Sequence, residues 1–265
     1  MVQSTDFTIR PLTSAEDFLA CVALQREAWG DALTDITPPT VLKIVQRVGG
    51  VSAGAFAPDG TMLGFVFGIT GVERGRIVHW SHMLAVRAQS QNLGIGRQLK
   101  QYQRAQVAKT GAHVMYWTFD PLVARNAHLN INVMGALPAE YTRDAYPTMD
   151  RGAGTDRLIV AWPIDDQALG AQKERTAAAA SDAECLAAPV VNPDPASPMV
   201  AARPPKLRVQ IPSDISSIIA TDSPLAARWR ASTRAAFEAL FASGYSVAGF
   251  VANTGEGRSY YLLAR

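Results

Sequence analysis

A glycine-containing segment at residues 91–97 carries the residue types and spacing that point most directly to chemistry. The segment lies between a strand-like apolar stretch and a helical one. Glycine lets the backbone approach a ligand closely, and the free N–H groups and the dipole of a helix N-terminus attract an anion. The segment therefore predicts a pyrophosphate-binding loop. Its residues are Gln91, Asn92, Leu93, Gly94, Ile95, Gly96 and Arg97.

Two common nucleotide-binding motifs do not fit this segment. The Rossmann fingerprint requires a third spaced glycine and a later acidic residue, and the third glycine is absent. A Walker A loop ends in Gly-Lys followed by Ser or Thr, whereas Gly96 is followed by Arg97 and Gln98. The sequence thus argues against both classes of nucleotide site.

The elements around the loop predict a mixed α/β chain. Apolar periodicity indicates strands at 77–86 and 113–119, with a helix at 91–109 between them. Near the N-terminus, Thr13 and Glu16 have the spacing of a capping box and predict the start of the first helix. The element order β-α-α-β-β-β-α-β-α-β-β is typical of a central mixed, twisted sheet with helices on both faces.

The remainder of the chain carries no comparable motif. Residues 165–205 are rich in alanine and proline, and each proline removes a backbone donor and fixes φ, so we predict a linker or crossover there. Residues 206–265 predict a strand, a helix and a hairpin, which together form a C-terminal half-domain. The expected domains are therefore a core at 1–164, the linker at 165–205 and the half-domain at 206–265.

The chain resembles the GCN5-related N-acetyltransferase (GNAT) superfamily. Gln91, Gly94 and Gly96 match that superfamily's acyl-coenzyme A signature, Gln/Arg-x-x-Gly-x-Gly/Ala, and the strand before the loop ends in a similar Leu84-Ala85-Val86. The resemblance implies the GNAT fold, with acetyl-CoA or another short acyl-CoA as co-substrate. It also implies the residues that contact this co-substrate, namely Met83, Leu84, Val86, Gln91, Asn92, Leu93, Gly94, Ile95, Gly96, Arg97 and Asn126.

A narrower resemblance covers nearly the whole chain outside the Ala/Pro-rich stretch. Segments 117–121, 125–130, 155–158 and 229–237 are similar to a bacterial branch of predicted acetyltransferases with a C-terminal extension. Some relatives of that branch are thought to act on amino acids, with acetyl or succinyl donors. The resemblance does not fix the substrate of this chain.

His82 and Tyr146 are the candidate catalytic residues. The resemblance implies direct attack by a neutral amine, and an imidazole with an ordinary pKa near 6.5 suits proton removal from that amine. Many superfamily members place a tyrosine, as general acid, where this chain has Ile131, so we assign that role to Tyr146, with Tyr141 or water as the alternative proton source. His82 could instead be structural, since a one-residue bulge reverses the face of a strand, and either tyrosine could simply pack.

Four arginines follow the predicted site in sequence and could recognise an acceptor carboxylate. Arginine binds carboxylates through two parallel hydrogen bonds, which favours an amino acid or another carboxylate-bearing amine, or a succinyl donor. The alternative is that these side chains form surface ion pairs, most of which stabilise little. They are Arg125, Arg143, Arg151 and Arg157.

Composition sets the remaining expectations. The 265 residues carry a net charge of +2 without a basic run, which argues against a nucleic-acid partner, and two cysteines give no disulfide framework or zinc site. We expect a cytoplasmic protein without a membrane segment or metal. Whether the chain forms a homodimer is left open. The predicted function is an acyl-CoA-dependent N-acyltransferase acting on a small-molecule amine. The alternative is a catalytically degenerate module that binds acyl-CoA as a sensor or scaffold.

Overall fold

The computed structural model describes residues 6–30, 35–146, 154–196, 204–252 and 257–265. The chain separates into two compact units, Met1–Trp117 and Thr118–Arg265. The division lies inside the fifth strand, whereas the sequence favoured a domain boundary near residue 164. Within the described residues, no helix is long and apolar enough to cross a membrane.

The first unit contains the elements that carry the predicted loop. Its α1 helix begins after Ser14, whose side chain accepts from the Asp17 N–H while Asp17 caps in return. The capping box is thus one residue later than the predicted Thr13 and Glu16 pair. The elements are β1 (Thr8–Pro11), α1 (Ala15–Trp29), α2 (Pro39–Arg47), β2 (Val51–Phe56), β3 (Met62–Glu73), β4 (Arg76–Val86), α3 (Ile95–Ala108) and β5 (Val114–Phe119).

The sheet of the first unit runs in the order β1-β2-β3-β4-β5. Pairing is antiparallel from β1 to β4 and parallel between β4 and β5. Helices α1 and α2 contribute Phe18, Leu24 and Leu42 to a buried cluster with Phe65 and Phe67 of β3. Helix α3 packs with β2, β3 and β4, so helices cover this sheet as the sequence predicts.

The second unit begins with a short helix, α4 (Ala124–Ala127), which continues as a π-helical stretch, His128–Met134, and ends at Gly135 with φ 77°. Strands β6 (Leu137–Thr142) and β7 (Arg157–Pro163) then pair antiparallel. The later elements are α5 (Asp166–Ser181), α6 (Ala183–Ala187), β8 (Lys206–Pro212), α7 (Ile215–Thr221), α8 (Ser223–Ala242), β9 (Ser246–Val251) and β10 (Arg258–Ala264).

Much of the Ala/Pro-rich stretch is ordered and packed. Asp165 caps α5 through the Ala168 N–H, and Leu169 and Thr176 of that helix are buried. Farther along, Val190 bridges to Arg208 of β8, and the buried Asn192 side chain hydrogen-bonds the backbone N–H and C=O of Gln210. The described part of 165–205 is therefore attached along the C-terminal sheet.

The C-terminal region has the predicted strand, helix and hairpin. Its sheet order is β8-β10-β9, antiparallel throughout. Helix α8 buries Trp229, Phe237 and Leu240 on one face. Helix α7, which precedes it, was not predicted.

Candidate functional site

A β-bulge at His82 sets the geometry of β4. The pairing with β3 joins Met83 to Phe67 and Ser81 to Gly68, so His82 has no opposite residue. The extra residue reverses the alternation of side chains. Before the bulge, Ser81 contacts α3. After it, Met83 lies in the cluster under α1 and α2.

His82 lies on the α1–α2 side of the sheet, opposite to Ser81. Its ring meets Phe67 edge-on, with centroids 6.0 Å apart, while the residue remains exposed. Desolvation by surrounding protein atoms lowers the pKa of His82 below its ordinary value, and the Asp35 carboxylate opposes this shift. The imidazole is therefore neutral at neutral pH, the state that a general base requires.

Beyond Trp80, β4 has an edge that no strand covers in the part of the chain described. Pairing with β5 stops at Trp80 and Tyr116, whereas β4 continues to Val86. We call residues 81–86 the open edge of β4. It includes the predicted contacts Met83, Leu84 and Val86. An extended ligand can hydrogen-bond such an edge as an additional strand does.

The predicted loop adopts a conformation that leaves its backbone donors free. Asn92 and Gly94 have φ of 65° and 76°, and Gly94 is the N-cap of α3. Among the described residues, no acceptor receives the N–H groups from Asn92 to Arg97, and the first backbone bond of the helix runs from Gln98 to Gly94. Together with the helix dipole, these donors form an anion-binding surface.

The loop packs directly beside the end of β4. A Cβ on Gly96 would lie 3.5 Å from Leu84 and 3.7 Å from Val86, and the Gln91 amide reaches the Val86 carbonyl at 3.5 Å. Ile95 is buried and can offer a ligand only its backbone. The remaining loop residues are exposed, namely Gln91, Asn92, Leu93, Gly94 and Arg97.

A buried lysine that no sequence motif marks lies beneath the open edge. Lys100 of α3 donates to the Ser81 Oγ at 2.6 Å, and its Nζ stands 4.1 Å from the Trp117 ring centroid. Burial lowers the pKa of Lys100 well below its usual value. The sequence gives only weak evidence that Lys100 is buried. That evidence is its helical spacing from Leu99, Gln103 and the other buried positions of α3.

His79 belongs to the same buried layer and is not a candidate base. Thr70 donates to the Gly49 carbonyl at 2.6 Å, so its oxygen accepts from His79 Nδ1 at 2.9 Å. The other ring nitrogen, Nε2, lies 3.0 Å from the Gln103 amide. Desolvation, reinforced by the charge of Lys100, lowers the pKa of His79 to about 4.

The other two predicted site residues belong to the second unit. Asn126 is half-buried in α4. Tyr146 follows β6, and its hydroxyl shares a hydrogen bond with the Thr118 Oγ1 at 2.8 Å.

Tyr141, the alternative acid, donates to Asp156 at 2.5 Å. Burial and this bond raise the pKa of Tyr141 far above its usual value, which makes it a poor proton donor. Ile131, where relatives of the resembled superfamily place a tyrosine, is buried.

The arginines proposed for acceptor recognition have internal partners. Arg143 pairs with Glu238, and Arg157 lies 3.8 Å from Asp120 while donating to the Asp156 carbonyl at 2.9 Å. Arg125 is exposed, and Arg151 lies outside the described residues. Ion pairing therefore accounts for Arg143 and Arg157 without a substrate carboxylate.

Comparisons with known proteins give matches only at the level of solved structures. No protein-family profile and no curated protein matches the chain. A chain of the NatC complex bound to Gag peptide and CoA matches 60% of this chain and 98% of its own length, with 16% identity and a TM-score of 0.50. The ribosomal-protein-S18-alanine N-acetyltransferase from Escherichia coli matches 60% of this chain and 95% of its own, with 21% identity and a TM-score of 0.48.

The match to the NatC chain spans nearly all of that protein. The element order and the mixed sheet of this chain are also those that the sequence predicts. Over about 60% of its length, this chain therefore has the GNAT fold.

Proposed function

We propose that the protein is an acyl-CoA-dependent N-acyltransferase. The observation that carries the proposal is the row of free N–H groups from Asn92 to Arg97 beside the open edge of β4. The first feature suits a pyrophosphate and the second an extended amide-containing arm, and an acyl-coenzyme A contains both. The CoA in the NatC structure, which shares the fold, supports the same assignment.

The residues of this chain would divide the chemistry as follows. The backbone of residues 92–97 holds the pyrophosphate, and Met83, Leu84 and Val86 of the open edge align the acyl arm. His82 removes a proton from the acceptor ammonium, so that the neutral amine attacks the thioester carbonyl and an amide bond forms. The C–S bond breaks as Tyr146 protonates the departing thiolate, and the resulting tyrosinate takes the second proton that the nitrogen loses when the amide forms.

The proposed acceptor is an amine, and the proposal includes two classes of acceptor. The sequence favours a small molecule such as an amino acid. The Gag peptide bound to NatC adds peptides as a second class. The pairing of Arg143 and Arg157 with internal carboxylates weakens the argument for a carboxylate-bearing acceptor.

Calorimetry with acetyl-CoA and succinyl-CoA, followed by a thiol-release assay, tests this function. The assay should contain amino acids, polyamines and short peptides with free N-termini. We expect binding of at least one acyl-CoA and release of CoA that depends on one class of amine. Binding without turnover on any amine would favour the degenerate module, for which the buried Ile131 is the motivating observation. Absence of acyl-CoA binding would exclude both functions.

A further inference from the structure

The C-terminal helix α8 presents two arginines, one turn apart, to two carboxylates of the second unit. Arg230 donates to both oxygens of Asp120 at 2.8 and 2.7 Å. Arg234 donates to both oxygens of Asp156 at 2.7 and 2.6 Å. Such two-pronged pairs fix the orientation as well as the distance of the partners. Helix α8 is thereby attached to the residue after β5 and to the residue before β7.

Asp156 is the centre of this arrangement. It is completely buried, and besides Arg234 it accepts from the Tyr141 hydroxyl and from the Asp144 N–H at 3.1 Å. Burial raises the pKa of Asp156, but the hydrogen bonds from Arg234, Tyr141 and the Asp144 N–H, together with the charge of Arg234, outweigh it and lower this pKa below its usual value. The carboxylate therefore stays charged and joins α8 to residues 141–144.

Tyr146 lies next to this centre. Its backbone N–H donates to the Thr155 Oγ1 at 3.1 Å, and the Ala145 N–H donates to the Thr155 carbonyl at the same distance. Thr155 is the residue immediately before Asp156, and Asp144 is two residues before Tyr146. The Arg234 fork therefore restrains Asp144, two residues before Tyr146, and Thr155, which accepts the hydrogen bond from the Tyr146 N–H.

We propose that Arg234 is a positioning residue for Tyr146, so that the C-terminal region contributes to catalysis by fixing the proton donor. This inference rests on the proposed function, in which Tyr146 protonates the thiolate. Proton transfer requires hydrogen-bond distance, and a displacement of about 1 Å can cost about 100-fold in rate. Arg234 acts through Asp156 and Thr155, and through its own hydrogen bond to the Asp144 carboxylate at 3.1 Å.

The first test compares Arg234→Met with Glu238→Gln. Glu238 lies one turn farther along α8 and pairs with Arg143, which is largely exposed, so its loss controls for removing an ion pair from the same helix. We expect Arg234→Met to lower kcat by about tenfold or more while KM for acetyl-CoA stays within about twofold. Arg234→Lys, which retains the charge without the fork, should lie between wild type and Arg234→Met. Glu238→Gln should retain the wild-type kcat.

A double-mutant cycle separates positioning from a general loss of structure. In a Tyr146→Phe background the proton donor is already absent, so Arg234→Met should lower kcat no further. An equal loss in both backgrounds would overturn the proposal, because Arg234 would then act independently of Tyr146.

Hydrogen exchange provides a measurement that does not need activity. The amides of Ala145 and Tyr146 should exchange faster in Arg234→Met than in wild type, and should be unchanged in Glu238→Gln. If the wild-type protein transfers no acyl group, the proposed function fails, but exchange still tests the restraint. Unchanged exchange at both amides would overturn the positioning role. If Arg234→Met does not fold, the same comparison is made with Arg234→Lys.

Discussion

His82 combines a solvent-exposed position, a lowered pKa and a place at the β4 bulge beside the open edge. No other histidine of the described chain shares these features. His79 is buried within a hydrogen-bonded layer, His113 binds the Ile77 carbonyl, and His128 lies near Asn132 in the π-helical stretch. The tertiary surroundings therefore distinguish the four histidines of the chain, which composition alone leaves equivalent.

His82→Ala should lower kcat by about 100-fold, within the usual contribution of a general base. Activity carried by a base is lost as the pH falls through its pKa. Because the pKa of His82 is lowered, the acidic limb of the wild-type profile should lie below pH 6.5, and His82→Ala should abolish it. The pH dependence of kcat/KM measures this, with His113→Ala as control. An unchanged acidic limb in His82→Ala would remove His82 from the mechanism.

His79 should make the stability of the fold depend on pH. Its pKa is about 4 in the folded protein, so between this value and the ordinary 6.5 the unfolded chain binds more protons. The free energy of unfolding therefore rises with pH across this range, by about 3 kcal/mol from this one group. This contribution of His79 to the free energy of unfolding is lost as the pH falls from 6.5 to 4.

Denaturant unfolding of wild type and His79→Gln at several pH values tests this dependence. The variant should show a shallower decline of stability between pH 6.5 and 4, whereas His113→Gln should follow wild type. Identical slopes for wild type and His79→Gln would contradict the assigned neutral, buried state.

The loop between β4 and α3 depends on backbone conformation more than on space. A Cβ on Gly94 would meet nothing within 4 Å, but φ is 76°. A β-branched residue there is strained by about 1–2 kcal/mol, and this strain would shift the loop. The chain offers a matched control in Gly75, at the β3–β4 turn, with φ 77° and equally open space.

Gly94→Val should weaken acetyl-CoA binding by at least about tenfold, since the N–H groups that follow Gly94 would no longer converge. Gly75→Val should lose similar stability but retain the wild-type Kd. Calorimetric titration of both variants makes the comparison. Equal Kd values for Gly94→Val and wild type would refute the assignment of the loop.

At the scale of the whole molecule, the C-terminal region completes the second unit. Phe237 of α8 stacks on Tyr141 at 5.8 Å between centroids, and the buried Tyr261 hydroxyl donates to the Pro121 carbonyl at 2.8 Å. Asp156 is completely buried and needs Arg234, because a buried charge without its partner is strongly destabilising.

A chain ending at Pro163 should therefore not form a stable second unit. We expect this fragment to aggregate, or to show no cooperative unfolding of the residues that follow 118. The full chain should show protected amides in β6 and β7. Thermal unfolding and hydrogen exchange check this. A soluble fragment with wild-type protection in β6 and β7 would show instead that residues 164–265 form an independent appendage.

The sequence by itself determined the loop at 91–97, most of the elements and the fold class. These follow from signals that are local in the chain: glycines at a strand–helix junction, apolar periodicity, and turn residues. The predicted start of α1 differs from the observed start by one residue, because Ser14 and Asp17 have the same spacing as Thr13 and Glu16.

Only the tertiary structure decided which side chains share a site. The bulge at His82 depends on how β4 pairs with β3, and Lys100 is buried because Ser81 and Trp117 converge on it. The Arg234–Asp156 fork joins residues 78 positions apart. Burial and ion pairing between distant residues depend on how the whole chain packs, and no local pattern of residue types encodes that packing.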